Sequence, residues 1–202
     1  MERLACVSLP AFPLQLLLRR HPEWAAHPMA VVAEDRPQGL ILWVNEEARR
    51  AGVLSGLRYA AGCSLTAELR AGVVPPTEIA EAVATLTEQL GRFTPEVEPS
   101  SEEPGVFWLS GAGLGRLYAS LEEWARAIVT DLDSTGFRAT VVVGFTRFGT
   151  YAVASAREGT VVFENPAQER AAAQRVRLDH LALDPNLRDT LSKLGMGTVG
   201  AL

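Results

Sequence analysis

The chain opens on an alternating stretch, Arg3–Leu9, rich in residues that favour strands and ended by Pro10. From Phe12 to Arg20 the apolar positions Leu14, Leu17 and Leu18 change to helical spacing, and His21-Pro22 stops the helix. Met29–Ala33 and Leu40–Val44 read as a hairpin around the polar turn Glu34–Gly39. Asn45 is a good cap for a short helix through Ala51 closed by Gly52, and another short helix is predicted around Tyr59–Cys63.

From Glu68 the elements lengthen. A strand near Leu69–Val74 leads through Pro75-Pro76 into a helix over Thr77–Phe93, where Ile79, Val83, Leu86, Leu90 and Phe93 form one stripe. Strands at Glu96–Pro99 and Val106–Leu109 follow, then a helix carrying Leu121, Trp124, Ile128 and Leu132, then a strand over Phe137–Phe145. Counted with the first strand, this is the β-α-β-β-α-β order of a ferredoxin-like, split βαβ sheet in an α+β fold, with helices predicted on one face. Architecture of that kind hosts many functions and identifies none.

Beyond Phe145 the pattern predicts a helix from Gly149 to Arg157, a strand at Thr160–Phe163, an arginine-rich segment Gln168–Arg177 and a helix from Pro185. The ending LSKLGMGTVGAL looks like half of a helix-hairpin-helix, whose backbone N–H groups can hold a phosphate; Gly195, Gly197, Thr198 and Gly200 are the candidate DNA contacts. Val199, Ala201 and Leu202 begin an apolar face with nothing after it, so the chain is expected to be a fragment.

At 202 residues, 48% of them hydrophobic, the chain can bury one sizeable core or two small ones. No apolar run reaches the roughly 18 residues that span a bilayer, and the start lacks a secretory layout, so a cytoplasmic protein without a membrane partner is expected. Cys6 and Cys63 have no metal-ligand spacing and read as buried, inert thiols. The net charge of −5 is unevenly spread. Residues 1–75 hold eight arginines against seven acids, residues 76–135 three against eleven, and residues 136–202 eight basic residues against six acids. The acidic middle disfavours a long nucleic-acid track across it.

Three stretches carry a resemblance. VNEEARRAGVLSGL (Val44–Leu57), RFTPEVEPS with GVFWLS (Arg92–Ser100, Gly105–Ser110) and VVVGFTRFGTYAVASA (Val141–Ala156) are similar, in order and spacing, to the fingers and palm of the Y-family translesion DNA polymerases. LPAFPLQLLLRRHPEW, PGVFWL, GLGRLY and GFTRFG resemble a catalytically inactive branch of that family more closely than any active member. The resemblance divides the chain into palm (1–14), fingers (15–65), palm (66–165) and the start of a thumb (166–202).

Active members hold two divalent ions with carboxylates at the end of the first palm strand and on the central hairpin. The matching positions are Ser8, with Pro10 two residues on, and Gly105-Val106, none of them acidic. An ungapped register would bring Glu103 to one of them but would break the alternation of the following strand. Pro13 falls where an aromatic excludes ribonucleotides, Glu46 where a tyrosine contacts triphosphate, and the lysine expected after the last palm helix is absent, with Arg157 nearby. Arg49 alone keeps its identity and is the residual candidate for nucleotide binding.

The resemblance therefore implies a protein with no polymerase activity, no catalytic metal and no cofactor. It implies a docking body in a bacterial damage-induced mutagenesis assembly, with a RecA-like accessory protein, a replicative-type error-prone polymerase and, through regions beyond Leu202, the sliding clamp as partners, and with weak DNA binding. The alternatives are an active translesion polymerase that uses Glu103 and an unrelated α+β enzyme, for which no nucleophile-base motif is present. His21, His27 and His180 are scattered beside prolines and loops, and Glu102 and Glu103 read as a solvated loop. Gly111 to Gly115 lacks the lysine of a phosphate loop. Trp43, Trp108 and Trp124 read as core, and Trp24 as the exposed tryptophan.

Overall fold

A computed structural model describes residues 3–114 and 117–202, and the chain forms two compact bodies, Met1–Pro10 with Ala84–Leu202 and, between them in sequence, Ala11–Val83. Gly115, in the glycine-rich turn, lies outside the described residues.

The larger body is built on β1 (Leu4–Ser8), β5 (Val97–Pro99), β6 (Val106–Ser110), β7 (Thr140–Gly144) and β8 (Thr160–Val162), in the sheet order β5-β6-β1-β7-β8. β1 lies antiparallel to both β6 and β7, β5 antiparallel to β6, and β8 parallel to β7. The first four palm strands thus take the split βαβ order, with β8 added at one edge. At the other edge Pro99 cannot donate to a further strand, which blunts β5 against chain addition.

Helix α4 (Pro76–Leu90) buries Leu86 and Leu90, and α5 (Leu121–Ser134) buries Trp124, Ile128 and Leu132, the stripes predicted from spacing. Ser120 caps α5 by accepting from the Glu123 N–H. Gln89 joins the two helices by donating to Asp131 and Thr135, and the Trp124 indole donates to the Phe93 carbonyl at 3.1 Å.

Helices were expected on one face only, yet Ala5, Cys6, Val7 and Ser8 are buried in succession, so both faces of β1 are covered. On the face of Cys6, Val106 and Val142 lie α6 (Arg147–Ala156) and α7 (Pro166–Gln174), which fill a shared apolar cluster with Ala152, Val153, Ala173, Leu178 and Leu181. A last helix, α8 (Pro185–Lys193), adds Leu191 to its margin.

The smaller body holds α1 (Phe12–Arg20), β2 (Met29–Val32), β3 (Ile41–Val44), α2 (Glu46–Arg50), α3 (Tyr59–Leu65) and β4 (Arg70–Gly72). β2 and β3 form the predicted antiparallel hairpin, and Asn45 caps α2 through the Ala48 N–H while also bonding His27 and Met29. β4 differs from the expectation that assigned it to the palm: it pairs parallel with β2 in the sheet order β3-β2-β4. A three-residue strand has too little pattern to name its partner, and here Gly72 lets it approach the Leu17 side chain, which a Cβ would meet at 2.6 Å.

Three smaller expectations also change. Trp43 is exposed and Trp24 is half-buried, its ring stacked on His21 with centroids 4.0 Å apart. Cys63 is exposed, because its short helix buries Gly62 instead; Cys6 is buried as expected.

Candidate functional site

The positions that resemble the polymerase metal site converge at one end of β1 and β6. Ser8 stands directly opposite Val106 on one side and Thr140 on the other, and the Leu9 N–H donates to the Gly105 carbonyl at 2.8 Å. Ser8 is 5% exposed and Val106 2%, and Val106 belongs to the apolar cluster beneath α6. Pro10 follows, exposed, at the turn out of β1.

Gly105 takes φ +92°, a conformation that side-chain-bearing residues rarely adopt, and it sets the turn between β5 and β6. Ser100 organises the same turn by accepting from the Glu102 and Glu103 N–H groups. The strand-end turn therefore rests on a residue without a Cβ.

The acid that does approach is Glu103, which is half-buried and not the solvated loop residue expected. Its carboxylate accepts a 2.5 Å hydrogen bond from the Tyr151 hydroxyl on α6, and the same hydroxyl accepts from the Ala182 N–H at 3.2 Å. Burial, with this hydrogen bond second, pushes the Tyr151 phenol up to about 12, so it remains a donor at neutral pH. Burial pushes the Cys6 thiol up as well, and the neighbouring Glu103 charge adds to it, leaving Cys6 an unreactive thiol. Among the described residues no group of three His, Cys, Asp or Glu side chains is placed to hold a metal ion.

The remaining candidates lie elsewhere. Pro13 is buried in the first turn of α1, where proline is well tolerated, after Ala11 at φ +48°. Arg49 is exposed in the last turn of α2, and Glu46 pairs with Arg50 at 3.4 Å. At the chain end Gly195 takes φ +78° and closes α8, with the Met196 N–H donating to Leu191. Thr198 bridges to Arg177, Gly197 accepts from the Leu178 N–H, and a Cβ on Gly200 would lie 2.9 Å from the Gln174 carbonyl. Among the three candidate glycines, Gly197 alone has open space for a Cβ without a left-handed backbone.

Sequence reasoning missed Glu169. On α7 and 2% exposed, it accepts from the Phe145 and Thr146 N–H groups and from the Thr146 hydroxyl at the start of α6. Gly144 and Gly149 leave the room it occupies, since a Cβ on either would meet its carboxylate within 2.4 Å. The glycines of GFTRFG were visible; their purpose was not.

The sequence model of the impB/mucB/samB family matches residues 7–152, most of the chain. The chain belongs to that family. Solved structures agree in fold: DinB from Sulfolobus solfataricus is 16% identical with a TM-score of 0.75 over 97% of this chain and 58% of that one. A post-insertion binary complex of Dbh DNA polymerase gives 17% and 0.76 over 97% and 58%. A DinB family error-prone DNA polymerase from the same organism gives 19% and 0.72 over 97% and 57%. The impB/mucB/samB chain thus spans under three fifths of those polymerases, whose palm fold it shares. No curated protein matches it in sequence. Among the described residues no helix is long and apolar enough to cross a membrane.

Proposed function

We propose that this chain is a non-catalytic, Y-family polymerase-like docking body of a bacterial translesion synthesis and mutagenesis complex, similar to ImuB. The observation that carries this reading is the facing pair Ser8 and Val106, with Gly105 at φ +92° beside them. Two divalent ions held close together need several anionic oxygens to displace their water. Here the strand end offers one hydroxyl, an aliphatic side chain and a glycine, while the nearby Glu103 carboxylate is engaged by Tyr151. These donors do not fit the metal pair of an active polymerase.

Arg49 is the one matched nucleotide-contacting position of the fingers that keeps its family identity in this reading, and Glu46 three residues before it repels triphosphate. DNA contacts are weak in this reading. Asp184 accepts from the Leu187 N–H and so places a carboxylate at the start of α8, where a phosphate would otherwise be favoured. The partners are a RecA-like accessory protein, a replicative-type error-prone polymerase and the sliding clamp, the last through chain outside these residues.

Primer extension with magnesium or manganese, on protein free of other polymerases, tests the proposal. Background activity in wild type and in Ser8→Asp is expected. Template-directed extension that disappears in Glu103→Ala makes Glu103 a metal ligand and the protein an active polymerase; extension that survives that change overturns the proposal equally.

A further inference from the structure

We infer that Tyr151 fastens residues 178–193 to the palm across the strand-end site, so that a region open to metal and substrate in an active polymerase is here a closed structural joint. Its hydroxyl uses both its hydrogen-bonding capacities between different parts of the chain, donating to Glu103 in the β5–β6 turn and accepting from the Ala182 N–H. Around it the contacts are apolar. Leu178 and Leu181 are 3% and 7% exposed and share a cluster with Cys6, Val106 and Val142, and Leu183 and Leu191 pack on its margin. Val106 is therefore both the position matching a lost metal ligand and a member of the apolar cluster that the chain leading into α8 joins.

The joint continues at its far side. Leu178 donates to the Gly197 carbonyl at 3.1 Å and Val199 to the Val176 carbonyl at 2.9 Å, tying the end of α8 back to the segment that Tyr151 holds. A hydroxyl that bridges two segments adds little to global stability, because Ala182 is exposed and its N–H can find water instead. Its effect falls on local opening, in which 178–193 lifts from the palm while the sheet stays folded.

Hydrogen exchange on the whole chain distinguishes a fastening from an incidental contact. Tyr151→Phe keeps the ring and its packing and removes only the bridge. Exchange at the Leu178, Leu181, Leu183 and Leu191 amides is expected to quicken by about twofold to tenfold, with Val7 and Val142 unchanged. Glu103→Gln keeps an acceptor for the hydroxyl and should exchange like wild type, whereas Glu103→Ala should resemble Tyr151→Phe. Faster exchange at Ala182 alone overturns the inference, because that amide loses its own acceptor in any case. Equal acceleration throughout the sheet overturns it as well, since that would mean a general loss of stability.

Discussion

β1 and β6 run side by side for five residues, and their two ends have opposite characters. At the Ser8–Val106 end Val106 is buried in an apolar cluster with residues of α6 and with Leu178 and Leu181, and the Glu103 carboxylate is held by a neutral hydroxyl. At the Leu4–Ser110 end the same sheet face opens into a cleft of about 640 Å³, lined by Arg3, Glu96, Glu98, Trp108, Phe145 and Arg147. Two of these four charges pair with each other. Arg147 bonds Glu98 through both guanidinium nitrogens and lies 5.1 Å from the Trp108 ring centre, and Arg3 lies 4.1 Å over Phe145. The same two strands thus support a charged surface at one end and a largely apolar joint at the other. The difference comes from what covers each end: α6 and the chain after α7 close one and leave the other to water.

The largest expected effect sharpens this contrast by placing an acid at the buried end. Val106→Asp places a carboxylate in the apolar cluster and should lower the unfolding free energy by about 3 to 5 kcal/mol, read from urea midpoints. Burial would raise that carboxyl, so its protonated form is favoured in the folded state. The loss should accordingly shrink as pH falls and be complete above the raised value. A variant as stable as wild type at neutral pH would mean that the strand end is open and that the comparison fails.

A smaller effect is expected at Gly105. Gly105→Ala keeps the end apolar but asks an alanine to hold φ +92°, at about 1 to 2 kcal/mol. Gly105→Asn should lose less, because asparagine tolerates positive φ better. Equal losses for the two would show that turn handedness is not what Gly105 supplies.

The smallest effect belongs to the polar end. Glu98→Ala should leave the thermal midpoint within scatter at physiological salt and show its only difference at low ionic strength. Arg147 lowers the Glu98 carboxyl, chiefly through the hydrogen bond, so any stability it contributes is present above the unfolded carboxylate range and is lost as pH falls through the lowered value. A loss rivalling Val106→Asp would place both ends in the same regime.

Spacing along the chain determined a good deal of this protein. Leu14 and Leu17 gave α1 its extent of Phe12–Arg20, Asn45 announced α2, and Trp124, Ile128 and Leu132 marked the buried face of α5. Periods of 2 and 3.6 residues are local, so they can be read without knowing what the element will touch. The absence of acids at Ser8, Gly105 and Val106 was equally plain, but only the register of the folded strands put Val106 opposite Ser8.

Tertiary structure decided the rest. The pairing of Arg70–Gly72 with β2, the bond from Tyr151 to Glu103 and the seat of Glu169 at the start of α6 join residues far apart in the chain. None leaves a repeat in the sequence. A glutamate in a loop looks the same whether it faces water or a buried tyrosine, and a strand looks the same whichever sheet it joins. Only the folded chain sets which side chains share a dry volume, and with it whether the end of β1 is an open site or a closed one.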